Sequence, residues 1–270
     1  MATFERRHRR RPARAPTVSA PGVKALLTAL LAASLSGLPS PADATHLQVA
    51  PTSVTIPAER NTEGLTLSNS GDAPMHAQVR VFGWHQEDGE DRLQATTAIV
   101  LSPPMAEIAP GSRQLVRIVR TGPPPAGTEA SYRIVVDEIP GQGQGQGDAG
   151  ADPSGLRFVM RYSIPLFVSP TGPGPALPTL QTRVTASGGE RFIEIGNDGR
   201  GHAQVADLAF VATDGTRTSI AAGLSGYVLP GQRRRWKLPA RLVPPLNGVF
   251  KARINGEPAE RTLAPDAVAL

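Results

Sequence analysis

The stretch GLRFVMRYSIPLFVSP (residues 155–170) decides the fold class of this 270-residue chain. Alternate positions from Leu156 to Leu166 are apolar or aromatic, and the positions between them include Arg157 and Arg161. A period of two is typical of a β-strand, and an apolar stripe at helical spacing fits the stretch less well. We therefore predict a long strand over residues 155–170.

A second strand pattern, SYRIVVDEIP (131–140), precedes this stretch, and GQGQGQGDAGADPSG (141–155) lies between the two. Glycine-rich segments have almost no side chains that could pack, so they behave as flexible connections. Two long strands joined by a loose tether are the expected result. The alternation of the second strand alone fits an ordinary core strand as well as a strand that serves another purpose.

Composition and spacing extend the all-β prediction to the whole chain, which has 28 Gly, 27 Pro and only 4% aromatic residues. Many short strands joined by turns give this composition. Pro51 interrupts the first strand pattern and marks an edge or a switch between sheets. With the two long strands, about seven strands precede residue 171, which suits an immunoglobulin-like sandwich. The patterns on which this count depends cover residues 47–56, 63–74, 75–85, 93–104 and 113–120.

The second part of the chain repeats the first. LTLSNSGDAPMHAQV (65–79) is echoed by IEIGNDGRGHAQV (193–205), and APGSRQLVRI (109–118) by LPGQRRRWKL (229–238). A repeated supersecondary plan predicts two related domains in tandem. We expect sandwiches over residues 45–170 and 179–270, joined by the Pro/Gly-rich linker 171–178 in a bent arrangement with a cleft at the joint.

Residues 1–44 have the pattern of a secretory signal peptide. A basic start precedes the apolar run 25–38, and Ala42-Asp43-Ala44 satisfies the small-x-small rule for cleavage after Ala44. The basic start is long, so translation could begin nearer Val23, and the arginine run alternatively fits nucleic-acid binding or a twin-arginine signal. No other stretch approaches the length of an integral membrane segment.

Charge and motif searches exclude several functional classes. The seven basic and two acidic residues of 1–44 account for the net charge of +5, and 21 basic and 21 acidic residues remain, so no nucleic-acid footprint is expected. There is no cysteine, and neither HExxH nor GxSxG spacing occurs. His76 and His202 occupy equivalent repeat positions, which favours a structural role beside a turn. We expect no enzyme activity, no cofactor and no metal site.

Taken together, these residues resemble the periplasmic chaperones of the chaperone/usher pathway, which assemble pili and fimbriae. The matching features follow the family's order over almost all of residues 47–255. The IPLF and VVDEIP segments around a Gly-rich loop are most similar to the archaic, spore-coat-associated branch. The features are Pro51-Thr52, LTLSN (65–69), the Trp84 region, SPP (102–104), APGSRQLVRI (109–118), SYRIVVDEIP (131–140), RYSIPLFVSP (161–170), and GYVLPG (226–231) with Trp236.

The resemblance implies a function in the periplasm. Pilus subunits of this pathway are similar to immunoglobulin domains that lack their last strand, and the chaperone lends its own strand to the gap until an outer-membrane usher receives the subunit. Such strand addition combines main-chain pairing with pockets for alternate side chains. The donated residues implied here are Leu156, Phe158, Met160, Tyr162 and Ile164. The subunit and the usher are not identified by the sequence.

One departure from the family pattern concerns the subunit's terminal carboxylate. Two basic residues hold it in the commoner branches, and their positions correspond to Ser53 and Pro165 here, neither of which supplies a charge. Arg161 lies on the same strand face as Pro165 and is the candidate anchor, although an ordinary surface arginine has the same appearance. A secreted carbohydrate-binding or adhesive two-sandwich protein is the alternative function, and a pilus subunit is a third. The former needs exposed aromatic platforms, for which Trp84 and Trp236 are the only tryptophans.

Overall fold

The computed structural model describes residues 47–139, 159–242 and 246–268, and this part contains eighteen β-strands and no helix. The predicted signal peptide and the whole glycine-rich tether, with Leu156 and Phe158, lie outside the described residues. The strands are β1 (Leu47–Ala50), β2 (Val54–Ile56), β3 (Thr62–Asn69), β4 (Met75–Glu87), β5 (Glu90–Ala95), β6 (Ile99–Ser102), β7 (Met105–Ile108), β8 (Arg113–Arg120), β9 (Ala130–Ile139), β10 (Arg161–Val168), β11 (Leu180–Ser187), β12 (Glu190–Asn197), β13 (Ala203–Ala212), β14 (Arg217–Val228), β15 (Gln232–Lys237), β16 (Gly248–Ile254), β17 (Glu260–Leu263) and β18 (Pro265–Val268).

The first sandwich consists of two sheets that enclose one apolar core. One sheet has the order β1-β3-β8-β6, and the other has the order β2-β10-β9-β4-β5, with β7 paired to β4. Alternate residues of the strands that line the core face inward, as the period of two requires. In β8, for example, Val116 and Ile118 are buried and Leu115 and Arg117 are exposed.

The chain changes sheets at Pro51, as its position in the first strand pattern predicts. Before it, β1 pairs antiparallel with β3 in one sheet. After it, β2 pairs parallel with the end of β10 in the other sheet, from Leu166 to Val168. Proline has no amide hydrogen for a ladder, so the change of sheet falls where pairing is already interrupted.

The second sandwich repeats this plan over residues 180–268. Its sheets have the orders β15-β12-β11-β18 and β14-β13-β16-β17. Its core, which includes Ile193, Ile195, Trp236 and Phe250, is separate from that of the first sandwich. The all-β prediction of two tandem immunoglobulin-like sandwiches is therefore confirmed, while the exact domain and linker boundaries remain predictions.

The internal repeat is visible in the hydrogen bonds of two equivalent asparagines. Asn69 donates through Nδ2 to Ala73 O and Ile108 O and accepts from the amide of Gly71 (2.9 Å). Asn197 donates to Gly201 O and Val228 O and accepts from the amide of Gly199 (2.9 Å). Both side chains are buried, and each one bonds to backbone groups of the turn that follows it.

Residues 45–270 form one compact unit, so the contacts between the two sandwiches belong to the fold. Among the described residues, no helix is both long and apolar enough to cross a membrane.

Candidate functional site

Strand β10 divides its side chains between two environments. Tyr162, Ile164 and Leu166 face the first core, and Ile164 and Leu166 are 4% and 0% exposed. The opposite face includes Pro165, which lies beside β9, and Phe167, which is fully buried against the second sandwich. The alternation predicted for this stretch is confirmed from residue 161 onward.

Half of β10 carries an unpaired edge. The amide of Glu138 donates to Met160 O (3.0 Å), which sets the phase of the β9–β10 ladder. Since ladder bonds alternate along an antiparallel strand, Arg161, Ser163 and Pro165 direct their backbone groups away from β9. β2 covers only Leu166–Val168 on that side, and no other strand in the described part of the chain pairs there. We call this side of residues 161–165 the free edge.

Four buried side chains form a junction cluster between the two sandwiches: Trp84, Phe167, Tyr227 and Leu229. The rings of Trp84 and Tyr227 meet edge to face with centroids 5.4 Å apart. Gln86 supports the cluster by donating to Tyr227 O (2.7 Å) and accepting from the amide of Leu229 (3.1 Å). These contacts hold the C-terminal part of β10 (Leu166–Val168), which we call its root, against the second sandwich.

Arg133 lies between the free edge and the junction cluster. It is the β9 residue opposite Pro165, and its guanidinium lies 3.7 Å from the ring centre of Trp84 and 5.3 Å from that of Tyr227. Its Nη1 is 3.5 Å from Ser163 O. Burial lowers the pKa of Arg133 from its ordinary value, against the opposing charge of Asp91, but an arginine stays charged.

Arg133 carries a half-buried positive charge without an ionic partner. None of the ion pairs between described residues includes it. A partly desolvated cation over aromatic faces attracts an anion more strongly than a cation in water does. The site therefore suits a carboxylate that approaches along the free edge.

Arg161, the anchor predicted from the sequence, is already paired. Its Nε bonds to Asp137 Oδ1, and Arg80 Nη2 lies 2.6 Å from Asp137 Oδ2. Burial alone would raise the pKa of Asp137, but the hydrogen bonds from Arg161 and Arg80 outweigh it, so the pKa lies below its ordinary value. The side chain of Arg161 is 68% exposed, so its environment is that of a surface arginine.

The other predicted contact residues lie at different depths. Met160 is half-buried at the start of the free edge, and its amide donates to Glu138 Oε2 (3.2 Å). The Tyr162 hydroxyl donates to Leu47 O (2.6 Å), and Ile164 is buried in the chain's own core. Leu156 and Phe158 lie outside the described residues. Donation of these five side chains to a partner stays a prediction.

Comparison with known proteins shows which family the sequence and fold are similar to. Residues 46–174 match the model of the PapD N-terminal domain, described as a pili and flagellar-assembly chaperone. Residues 46–174 therefore belong to the family of the N-terminal domain of pilus-assembly chaperones. The prediction made from the sequence motifs is therefore confirmed.

Individual relatives of this chain are also chaperones or come from complexes with them. Chaperone protein FimB/FhaD of Bordetella pertussis is 29% identical over 151 residues, which span 54% of this chain and 59% of that protein. A chain of the CsuC–CsuE complex of chaperone and tip adhesion subunit, from the archaic Csu pili of Acinetobacter baumannii, is 26% identical with a TM-score of 0.64 and covers 81% of this chain and 97% of that one. A chain of the Salmonella enterica SafA pilin–SafB chaperone complex shares the fold at 18% identity, with a TM-score of 0.57 and coverage of 84% and 100%.

The described part of the chain lacks the features that metal binding or carbohydrate binding would need. No group of three or more His, Cys, Asp or Glu residues among the described residues could hold a metal ion. Trp84 and Trp236 are 4% and 9% exposed, so neither tryptophan forms the exposed aromatic platform that a carbohydrate-binding protein needs.

Two residues of the site, Arg133 and His202, are not revealed by local sequence patterns. Arg133 faces Pro165 only through the β9–β10 register, which local patterns do not reveal. The equivalence with His76 predicts only a structural role for His202 beside its own turn. His202 instead stacks on Phe167 of the first sandwich with ring centres 3.5 Å apart. The pairing of SYRIVVDEIP with RYSIPLFV was the one available signal for Arg133.

Proposed function

We propose that this protein is a non-enzymatic periplasmic chaperone that binds a pilus subunit by donor-strand complementation and delivers it to an outer-membrane usher. The observation that carries the proposal is the free edge of β10. An exposed row of backbone groups on a long, partly apolar strand is an aggregation hazard unless a partner pairs with it. A subunit that lacks its last strand has unpaired backbone groups of its own, which could pair with this edge.

The donated side chains are Leu156, Phe158 and Met160. They share the parity of Tyr162 and Ile164, which already fill the chaperone's own core. One face of the strand thus serves two cores, its own from residue 162 onward and the partner's before it. Burying three such side chains contributes about 1.5–3 kcal/mol each, which suffices to hold a subunit and still allows its release by strand exchange.

The subunit's terminal carboxylate binds to Arg133 in this proposal, rather than to Arg161. Arg133 has no ionic partner among the described residues, is half-buried and lies next to the free edge, whereas Arg161 is exposed and bonded to Asp137. An incoming carboxylate at Arg133 would also lie at the junction of both sandwiches. This position gives the second sandwich a part in subunit binding.

Co-expression with the open reading frames adjacent to this chain's own gene tests the proposal. Phe158→Asp with Met160→Asp should leave the chaperone folded and abolish co-purification of a subunit from the periplasm. Val159→Asp is the matched control, because Val159 has the opposite parity and is already 50% exposed. Continued co-purification with the double variant, or an equal loss with the control, would contradict donor-strand binding.

A further inference from the structure

The turn between β12 and β13 (residues 198–202) belongs to the second sandwich and makes hydrogen bonds and a ring contact with the first. Its equivalent in the first sandwich (residues 70–74) is shaped by the same asparagine hydrogen bonds, yet the histidine after it, His76, is exposed. The repeat therefore explains the shape of the turn at 198–202 but not its contacts. Those contacts come from Arg200 and His202.

His202 binds two elements of the first sandwich. Its ring lies flat on Phe167 of β10, with centroids 3.5 Å apart and planes 4° apart. Its Nδ1 lies 2.8 Å from Glu129 Oε1, and its amide donates to the same oxygen at 3.3 Å. The Glu129 side chain is 7% exposed, so this contact satisfies a carboxylate that has little access to water.

Arg200 joins three further backbone segments. Its guanidinium donates to Gly127 O (2.7 Å) before β9, to Thr171 O (2.9 Å) just after β10, and to Pro173 O (3.2 Å) between the sandwiches. Its own carbonyl accepts from the amide of Glu129 (2.8 Å). A planar guanidinium presents five N–H donors in fixed directions, whereas a lysine ammonium is a compact charge on a flexible stem and holds separated carbonyls less firmly.

These contacts fall on the strand that carries the free edge. Phe167 is two residues beyond Pro165, where the free edge ends, and Thr171 follows four residues later. β10 is therefore held at its root by the second sandwich while its other half remains open. A shift between the sandwiches would also move Tyr227 relative to Arg133, which lies 5.3 Å from that ring.

We propose that Arg200 and His202 are positioning residues. They clamp the second sandwich to the root of β10 and thereby set the subunit affinity of a surface that they do not touch. This inference rests on the proposed function. The two sandwich cores are separate, so loosening the clamp leaves each sandwich folded. Without the contacts of Arg200 and His202, the distance between the sandwiches varies over a wider range and the bound subunit is released faster.

The test uses spin labels, which can be placed at will because the chain contains no cysteine. Arg117→Cys on β8 and Thr262→Cys on β17 are exposed positions, one in each sandwich. The labelled parent is compared with His202→Leu and Arg200→Gln, and His76→Leu is the matched control. Dissociation of the subunit that co-purifies with the parent is measured for the same proteins, and circular dichroism verifies that each is folded.

The clamp variants should broaden the distance distribution and weaken subunit binding by about tenfold, whereas the control matches the parent. Arg200→Lys should fall between parent and Arg200→Gln. An unchanged distance distribution, or a broadened one with unchanged dissociation, would overturn the inference. A parent chain that binds no subunit would overturn the proposed function instead, and the distance distributions would still decide whether the clamp holds the sandwiches together.

Discussion

Replacement of Arg133 by methionine gives the sharpest test of the proposed binding surface. Methionine keeps an apolar contact with Trp84 but removes the charge that lies 3.7 Å above its ring. A hydrogen bond to a charged group contributes about 1.5–3 kcal/mol. A loss of about 2 kcal/mol corresponds to a dissociation constant about thirtyfold higher.

Arg161→Gln is the matched control for this experiment. Its guanidinium is 68% exposed and already bonded to Asp137, so we expect less than about a threefold change. Isothermal titration of each variant with the subunit that co-purifies with the parent measures both effects. The folded state should survive Arg133→Met, because a cation–π contact contributes only about 1 kcal/mol and the residue lies outside both cores.

A subunit with two glycines added at its C-terminus completes a double-mutant cycle with Arg133→Met. If Arg133 binds the terminal carboxylate, the extension should weaken binding to the parent and change binding to Arg133→Met very little. Additive losses would refute the carboxylate contact. A larger loss for Arg161→Gln than for Arg133→Met would restore Arg161 as the anchor.

Three further variants test other parts of the structure. Asn197→Ala should lower the free energy of unfolding by about 2 kcal/mol, because it removes the bonds to Gly201 O and Val228 O; urea unfolding that matches the parent would contradict this. Ile164→Ala should cost about 2–4 kcal/mol of stability, whereas Met160→Ala should chiefly lower subunit affinity; equal stability losses would contradict the division of the strand between two cores. The pKa of Asp137 is lowered in the folded state, so its pairing stabilises the protein above about pH 4. The advantage of the parent over Arg161→Gln should therefore vanish in acid unfolding experiments as the pH falls below that value, and an advantage that grows in acid would contradict it.

Periodicity along the chain accounts for most of the fold that the sequence predicted. The strand β8 begins and ends where its alternating pattern does, and the sheet switch follows from Pro51. The equivalence of Asn69 and Asn197 was visible because the same turn needs the same side chain in both copies. These features depend on residues that are close in sequence.

The site was less predictable because it depends on which strands are neighbours. Arg133 reaches Pro165 across the ladder, and His202 reaches Phe167 across the junction of the sandwiches. Nothing in the local pattern distinguishes either residue from a surface cation or a turn histidine. Arg161 was preferred for its parity on the strand, but parity gives no information about Asp137, which faces it from β9.

Pro165 and β2 together limit how far an added strand can run along β10. Pro165 is buried and offers no amide hydrogen at the last unpaired position, and from Leu166 onward β2 already occupies the place beside the strand. Under the proposed function, an incoming chain would have to stop there, and its final residue would lie beside Arg133 whatever its own sequence. Partners with different side chains but the same distance between their C-terminus and their groove would then bind in a single register.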